Sequence, residues 1–334
     1  MGKLGFNDLT DLLGCIKTSR DVLVPPLPGF DCGVHTIGKD RCVVVATDPC
    51  INVPIEHFGW LLLHYSASDI SVFGAWPQFC TINLLGPPGT RPRLLREVMR
   101  QVCRAAEQLH TIIITGHTGV YGGIDTLLGV CTAYGMLRTR DLITPAGARP
   151  GDLILCTKPV GLEVLTNLAI RRKKLATSLF GPKRTRYLAN RIKMQSCVRE
   201  AHMLAENGTV SAMHDVTEGG LIASLGEMAN ASNLGFVLDY PRLYLMPELR
   251  ILAKRFGLST KQLLSISSTG TLLAAISPRD KERILKMLAG SGAKPQIIGA
   301  FTKGKKRAIR YNGREASFPE ESNDPYAEII GANS

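Results

Sequence analysis

Short apolar runs that read as strands alternate with segments of helical period through the first half of this 334-residue chain, and that alternation restricts the fold more than any other feature. CVVVATD reads as a buried strand ending at Asp48, where Pro49 and the turn after it release the chain. Residues 54–68 and 92–109 carry helical patterns, the second with Leu95, Val98, Val102, Ala106 and Leu109 on one face. FCTINLL, TIIITG and LLGVCTAYGML supply further strands, with GHTGVYGGIDT as a loop between the last two. Ahead of them, Phe6, Leu9, Leu12, Leu13 and Ile16 predict an amphipathic lead helix. The expected class is α/β (α+β).

The turn-rich TPAGARPGD, with Pro145, Gly147, Pro150 and Gly151, predicts a domain junction. The expected division is residues 1–146, residues 147–315 and a loosely held tail at 316–334 that shows no strong period. Past the junction come the strand LILCT, a helix after Gly161, a basic segment, the strand VSAMH and a helix over 218–230.

Several classes are set aside at once. Apolar stretches such as WLLL (60–63) and III (112–114) fall far below the roughly 18 residues of a membrane span, so no membrane partner is expected. The first twenty residues hold Asp8 and Asp11 and no cleavable apolar core, and Phe6 stands where a myristoylation signal needs Ser or Thr. Nine cysteines, an odd number with no C-x-x-C pair, sit in apolar segments and predict buried thiols in a reducing cytoplasm. The net charge of +12 is local: residues 171–200 hold ten Lys or Arg against Glu200 alone, residues 303–314 hold six and no acid, and the rest of the chain is at −3. Nucleic acid is therefore not the expected partner. The segment 171–193, broken by Gly181 and Pro182, reads as two helical pieces, either a solvated basic face or a mobile lid that draws ATP or an acidic substrate to its site.

Four common enzyme signatures are absent: G-x-x-x-x-G-K-[ST], G-x-G-x-x-G after a strand, H-E-x-x-H and G-x-S-x-G. What remains is carboxylates at element ends: Asp31 in PGFDCGV, Asp48 in ATDP, Asp69 in SASDISVFGA, Asp125 in GGIDT and Asp215 in AMHDVTEGGL, each near Gly, Pro, Ser or Ala. Magnesium takes oxygen ligands and bridges carboxylates to phosphates, so several such aspartates can hold a nucleotide without a P-loop. Any one of them alone is more often a helix cap or turn former. In HDVTEGGL a strand delivers Asp215, Thr217 offers a hydroxyl, Gly219 and Gly220 permit close backbone approach, and amides at the start of the following helix favour phosphate. An ordinary strand-to-helix turn accounts for the same residues. Gly116, His117 and Thr118 of TGHTGVYGG follow a buried strand in a phosphate-friendly geometry that lacks a P-loop lysine; His117 either contacts phosphate, relays a proton or is structural.

GFDCGV, ATDPCI, SASDISVFGAWP, ITGHTGV with Asp125 beyond it, PAGARPGDLILCTKPVGLE and AMHDVTEGGL, in that order across roughly residues 20–310, resemble the PurM-like superfamily. That group contains aminoimidazole ribonucleotide (AIR) synthase, the hydrogenase-maturation factor HypE, thiamine-monophosphate kinase and selenide, water dikinase. Within it the likeness is strongest to HypE and AIR synthase-related archaeal proteins, through TKPVGLE followed by NLA and through HDVTEGGL. The resemblance implies a two-domain PurM-like fold: an N-terminal α/β domain that dimerises through its sheet and a C-terminal α+β domain. It also implies ATP and Mg2+ as cofactors. By matching positions, Asp31, Asp48, Asp69 and Asp215 would be metal or phosphate ligands; Gly116, His117, Thr118, Asp125, Thr217, Gly219 and Gly220 would line the nucleotide, with Asp215 and His117 in catalytic roles.

Three departures from the pattern stand out. HypE ends in a carbamoyl-accepting cysteine where this sequence reads EIIGANS, His117 replaces an Asp, and FDCGV replaces DDAAV or EDAAV. The expected function is ATP-dependent activation of an oxygen of an unidentified small substrate by phosphorylation. The alternatives are a nucleotide-binding module without turnover, a kinase like thiamine-monophosphate kinase, and a nucleic-acid binder acting through residues 171–193, for which Phe180 and Tyr187 give little stacking surface.

Overall fold

A computed structural model of the chain describes residues 4, 6–291 and 293–331. Its contacts divide it into two units: Leu13–Leu142, and the chain from Ile143 together with the residues ahead of Leu13. The helix α1 (Phe6–Leu13) comes first.

The first unit holds one six-stranded sheet of β1 (Val22–Val24), β2 (Gly33–Thr36), β3 (Arg41–Ile51), β4 (Phe79–Gly86), β5 (Ile112–Val120) and β6 (Leu128–Arg138), in the order β1-β2-β3-β6-β4-β5. The β4–β5 pair is parallel and the other pairs are antiparallel. Between β3 and β4 runs α2 (Phe58–Val72), and the β4–β5 crossover is made by α3 (Pro92–Leu109).

Burial alternates along the central strands. Cys42, Val44 and Ala46 of β3, Cys131 and Ala133 of β6, and Cys80, Ile82 and Leu84 of β4 are buried on the face that α2 covers. α2 is buried on nearly all sides because α3 lies against it in turn. Small residues make this fit possible: the Ser66 hydroxyl donates to the Cys131 carbonyl at 2.8 Å, and Ser71 donates to Ala67 at 2.7 Å. On the other face Val43, Val45, Val130, Tyr134, Met136 and Phe79 stay partly exposed, with Phe79 stacked on Tyr134 at 5.5 Å.

Three expectations are corrected here. β3 does not stop at Asp48 but continues to Ile51, the Gly-rich GHTGV belongs to β5 and not to a loop, and Asp69 lies inside α2, not at an element end.

The second unit is a seven-stranded sheet: β7 (Leu153–Cys156), β8 (Val210–Val216), β9 (Gly235–Asp239), β10 (Thr271–Ile276), β11 (Gln296–Thr302), β12 (Arg307–Tyr311) and β13 (Arg314–Ser317), in the order β13-β12-β9-β11-β7-β10-β8. β10, buried along its whole length, lies between β7 and β8. The helices are α4 (Leu162–Arg171), α5 (Lys173–Phe180), α6 (Pro182–Ala189), α7 (Val198–Glu206), α8 (Gly220–Ala231), α9 (Pro247–Phe256), α10 (Thr260–Ser265), α11 (Lys281–Gly290) and α12 (Tyr326–Ile330). Leu165 and Leu168 of α4, Leu221 and Leu225 of α8, and Phe236 of β9 share one apolar core. The stretch expected to be a loose tail joins that core through Phe318, Ile329 and Ile330. Its helix is five residues long, too short to show a period in the sequence. The end of the tail, 332–334, lies outside the described residues, as does the MGK start. Among the described residues no helix is long and apolar enough to cross a membrane.

Candidate functional site

In the first unit Asp48 lies on β3, Asp69 on α2 and Asp31 just ahead of β2. Asp48 stands opposite Cys131 of β6, whose carbonyl receives Ser66 of α2; Asp69, 6% exposed, is one turn further along that helix. Asp31 precedes β2, and the pairing of Gly33 with Val45 carries it toward Thr47 and Asp48. Burial, with the Asp48 charge as a smaller contribution, pushes the Cys50 thiol up. The Cys131 thiol is also pushed up, first by its hydrogen bond with Cys80, then by burial, with Asp48 adding least.

The β5 residues do not all reach that place. Asp48, Cys131, Ile82 and Gly116 form one row across four strands, on the helix-covered face. A Cβ on Gly116 would lie 2.0 Å from the Ile82 carbonyl, so glycine is required by the approach of β4. His117 belongs to the next row, with Asn83, Val130 and Pro49, and projects from the opposite face. Three strand spacings, about 14 Å, also separate β5 from β3. His117 Nε2 is hydrogen-bonded to the Tyr121 hydroxyl. Thr118 returns to the face of Asp48 but stays exposed on the outer strand, and Asp125 is exposed in the connection to β6.

In the second unit Asp215, 2% exposed, lies in β8 opposite Leu272 of β10. Its carbonyl accepts the Ser224 hydroxyl at 3.0 Å and faces His214 Nδ1 at 2.8 Å, while His214 Nε2 is 3.0 Å from Glu227. The turn Thr217–Gly220 follows, closed by the Gly220 amide donating to the Thr217 carbonyl at 3.1 Å. Neither Asp215 nor Thr217 caps α8. Gly220 (φ +58°) leaves room for this chain's own backbone, since a Cβ there would come within 2.6 Å of the Ser265 carbonyl carbon. The Gly219 amide, expected to be open to phosphate, donates to Asp324 Oδ2 at 3.4 Å.

Two buried ionic groups escaped the sequence reading. Lys158, 2% exposed, donates through Nζ to the carbonyls of Met194 (3.3 Å), Ser196 (2.5 Å) and Gly270 (2.8 Å) and lies 3.1 Å from Glu200. Glu163 accepts the Thr269 amide at 2.9 Å, and burial pushes its carboxyl up. Both belong to TKPVGLE, where a lysine after the apolar LILCT was the available signal. The basic segment forms α5 and α6, broken at Gly181 (φ +79°). Ala176, Thr185 and Leu188 are buried, and Lys173, Lys174, Lys183, Arg186 and Lys193 are exposed. Arg184 is paired with Glu248 and stacked over Tyr187 at 4.2 Å.

Two α/β units, one with aspartates on its six-stranded sheet and the helix that covers it, the other with an aspartate-led strand-to-helix turn, define the class. Residues 29–137 match the N-terminal domain, and residues 149–312 the C-terminal domain, of AIR synthase related proteins, and the chain belongs to this family of the PurM-like superfamily. It is 27% identical over 339 residues to the selenide, water dikinase of Myxococcus xanthus (strain DK1622), covering 91% of this chain and 92% of that protein. It is likewise 27% identical over 268 residues to the carbamoyl dehydratase HypE of Cupriavidus necator, covering 78% and 73%. The crystal structure of a hydrogenase maturation protein HypE in complex with ATP shares the fold at a TM-score of 0.72, with 20% identity over 96% of this chain and 93% of that one.

Proposed function

We propose that the chain binds ATP with magnesium and activates an oxygen of a small substrate by phosphoryl transfer. The observation that supports this reading is the placement of Asp48 on β3 opposite Cys131 and of Asp69 on α2 one turn beyond Ser66, which bonds the Cys131 carbonyl, with Asp31 just ahead of β2. Carboxylate oxygens of this kind suit magnesium. Asp215, in the second unit, is proposed by itself as an oxygen donor beside the Thr217–Gly220 turn. When bound, the metal neutralises charge on the phosphate oxygens. The protein's own contribution is to hold the carboxylates in fixed positions, through the β3–β6 ladder and the Ser66 bond, and to offer the Thr217 hydroxyl and, once Asp324 gives way, the Gly219 amide to phosphate. The likeness to selenide, water dikinase along 91% of the chain supports a phosphoryl-transfer role, and the free cysteines, seven of them buried as expected but Cys15 and Cys103 exposed, suit the reducing cytoplasm. Nucleotide binding without turnover is the second reading, favoured by the placement of His117 on the face away from Asp48.

Calorimetric titration of ATP should show affinity in magnesium that falls by about tenfold or more in excess chelator. Equal affinity in both buffers would overturn the reading. Release of ADP or AMP on incubation with small carboxylates and amides separates turnover from binding alone and identifies the bond that breaks.

A homodimer through the first unit's sheet is part of the same proposal. Val43, Val45, Phe79, Val130, Tyr134 and Met136 leave an apolar face only partly covered, and such a face is usually an interface. Light scattering is expected to report twice the chain mass of 36.3 kDa, and a single species at that mass at micromolar concentration would count against it.

A further inference from the structure

Residues 318–330 lace across the second unit. Phe318, Ile329 and Ile330 are buried, the Asn323 amide donates to Ser265 Oγ at 2.8 Å, Asn167 Nδ2 donates to the Tyr326 hydroxyl at 2.8 Å, and the Arg172 guanidinium donates to the Ile329 carbonyl at 2.9 Å. At the centre of this lacing sits Asp324. Its carboxylate accepts the Tyr326 amide at 2.9 Å, the Gly219 amide at 3.4 Å and the Ser267 amide. Ser322 lies over Gly219 as well, with Oγ 3.0 Å from where a Cβ on that residue would be. A partly buried carboxylate thus occupies the Gly219 amide at the start of the twelve-residue α8, the end of a helix at which negative charge is stabilised.

We propose that residues 318–330 form a strap whose Asp324 carboxylate holds, at the Gly219 amide, the place of a ligand phosphoryl group, so that an incoming nucleotide phosphate must displace it. The inference rests on the reading that the Thr217–Gly220 turn takes phosphate. Gly219 and Gly220 are buried, partly beneath the strap, and phosphate reaches the Gly219 amide only if Ser322 and Asp324 move. Two features favour release. Glu163 and Glu218 place negative charge near Asp324, which opposes its ionised, docked form. Ile329 and Ile330 anchor the far end in the core, so the contact breaks without loss of the whole segment. Tyr326, itself pushed up chiefly by burial, also lies beside Asp324, with the Arg171 charge near it. Burial holds the Asp324 and Glu163 carboxyls above their ordinary values, so docking is most favourable in acid and weakens as the pH rises through those raised values.

The test is hydrogen exchange and calorimetry on the full chain with magnesium and the ATP analogue AMP-PNP. Binding should accelerate exchange of the Asn323 and Tyr326 amides while protecting Gly219 and Gly220. Asp324→Ala should tighten AMP-PNP by about tenfold, because the closed state no longer competes, and Glu163→Gln should weaken it by removing the charge that opposes docking. If Asp324→Ala fails to fold, Asp324→Asn, which replaces one of the two acceptor oxygens by an NH2 donor and so cannot accept both the Tyr326 and the Gly219 amides, should shift affinity in the same direction. AMP-PNP binding with unchanged exchange at 322–326, or with equal affinity in the Asp324 variants, overturns the strap and leaves the ATP reading standing. Binding by Asp324→Ala but not by wild type supports the strap, and binding by neither overturns both.

Discussion

Lys158→Met should cost the chain about 3–5 kcal/mol, enough to abolish folding of the second unit in a protein of ordinary stability. Methionine keeps the length and apolar stem of the side chain, so the change isolates the ammonium. Without it, Glu200 is a buried carboxylate lacking its cation, and the carbonyls of Met194, Ser196 and Gly270 lose their shared donor. The geometry allows little relief. A Cβ on Gly270 would lie 2.1 Å from the Met194 carbonyl, so the two loops that Lys158 joins are already in close contact. Urea denaturation monitored by circular dichroism reads the loss. Lys158→Met/Glu200→Leu should recover part of it, because the orphaned charge goes with its partner. A single variant that unfolds at the wild-type midpoint would show that the carbonyls and Glu200 find other partners.

The second large effect is expected at Asp48. Asp48→Asn is nearly isosteric and leaves the β3–β6 ladder intact, yet removes a full charge from the proposed metal donors. Affinity for ATP in magnesium should drop by tenfold or more, about 1.4 kcal/mol at least, with affinity in chelator unchanged. An independent reporter lies beside it. The Asp48 charge contributes to holding the Cys50 and Cys131 thiols up, so Asp48→Asn should lower both modestly, with burial still dominant. Loss of ATP affinity with an altered fold, or unchanged magnesium dependence with an intact one, would remove Asp48 from the donor set.

The sequence showed the alternation of strands and helices and the order of the motifs, and it missed features that depend on neighbours distant in the chain. Pro49 suggested a strand end because proline breaks a ladder. In the fold β2 pairs with β3 only as far as Val45, so beyond that residue β3 has one neighbour, β6, and proline is tolerated as on an edge. GHTGV suggested a loop because of its glycines; Gly116 is instead the residue that lets β5 lie against Ile82, next to a register shift in β4 between Cys80 and Thr81. Asp69 looked like an element end among small residues, and those small residues are what allow α2 to bury itself between sheet and α3. Alternation of faces could have been applied to β5 had it been recognised as a strand, and would have separated His117 from Asp48. No local signal joins Lys158 to Glu200 or Asp324 to Gly219, since each pair is fixed only by the folded topology.

The strand order of the first unit also governs when that unit can form. β6 is the last of its six strands in the chain, yet it lies between β3 and β4. Until residue 138 has been synthesised, β1-β2-β3 and β4-β5 are two separate fragments, each with an open inner edge that β6 will later occupy on both sides. α2, which packs across β3 and β6, has only half its seat during that interval. Closing the sheet means threading one strand between two preformed edges, a non-local step that slows folding and prolongs exposure of apolar strands. The nascent chain therefore depends most on chaperone protection, or on slow translation past residue 138, in the interval before its central strand is in place.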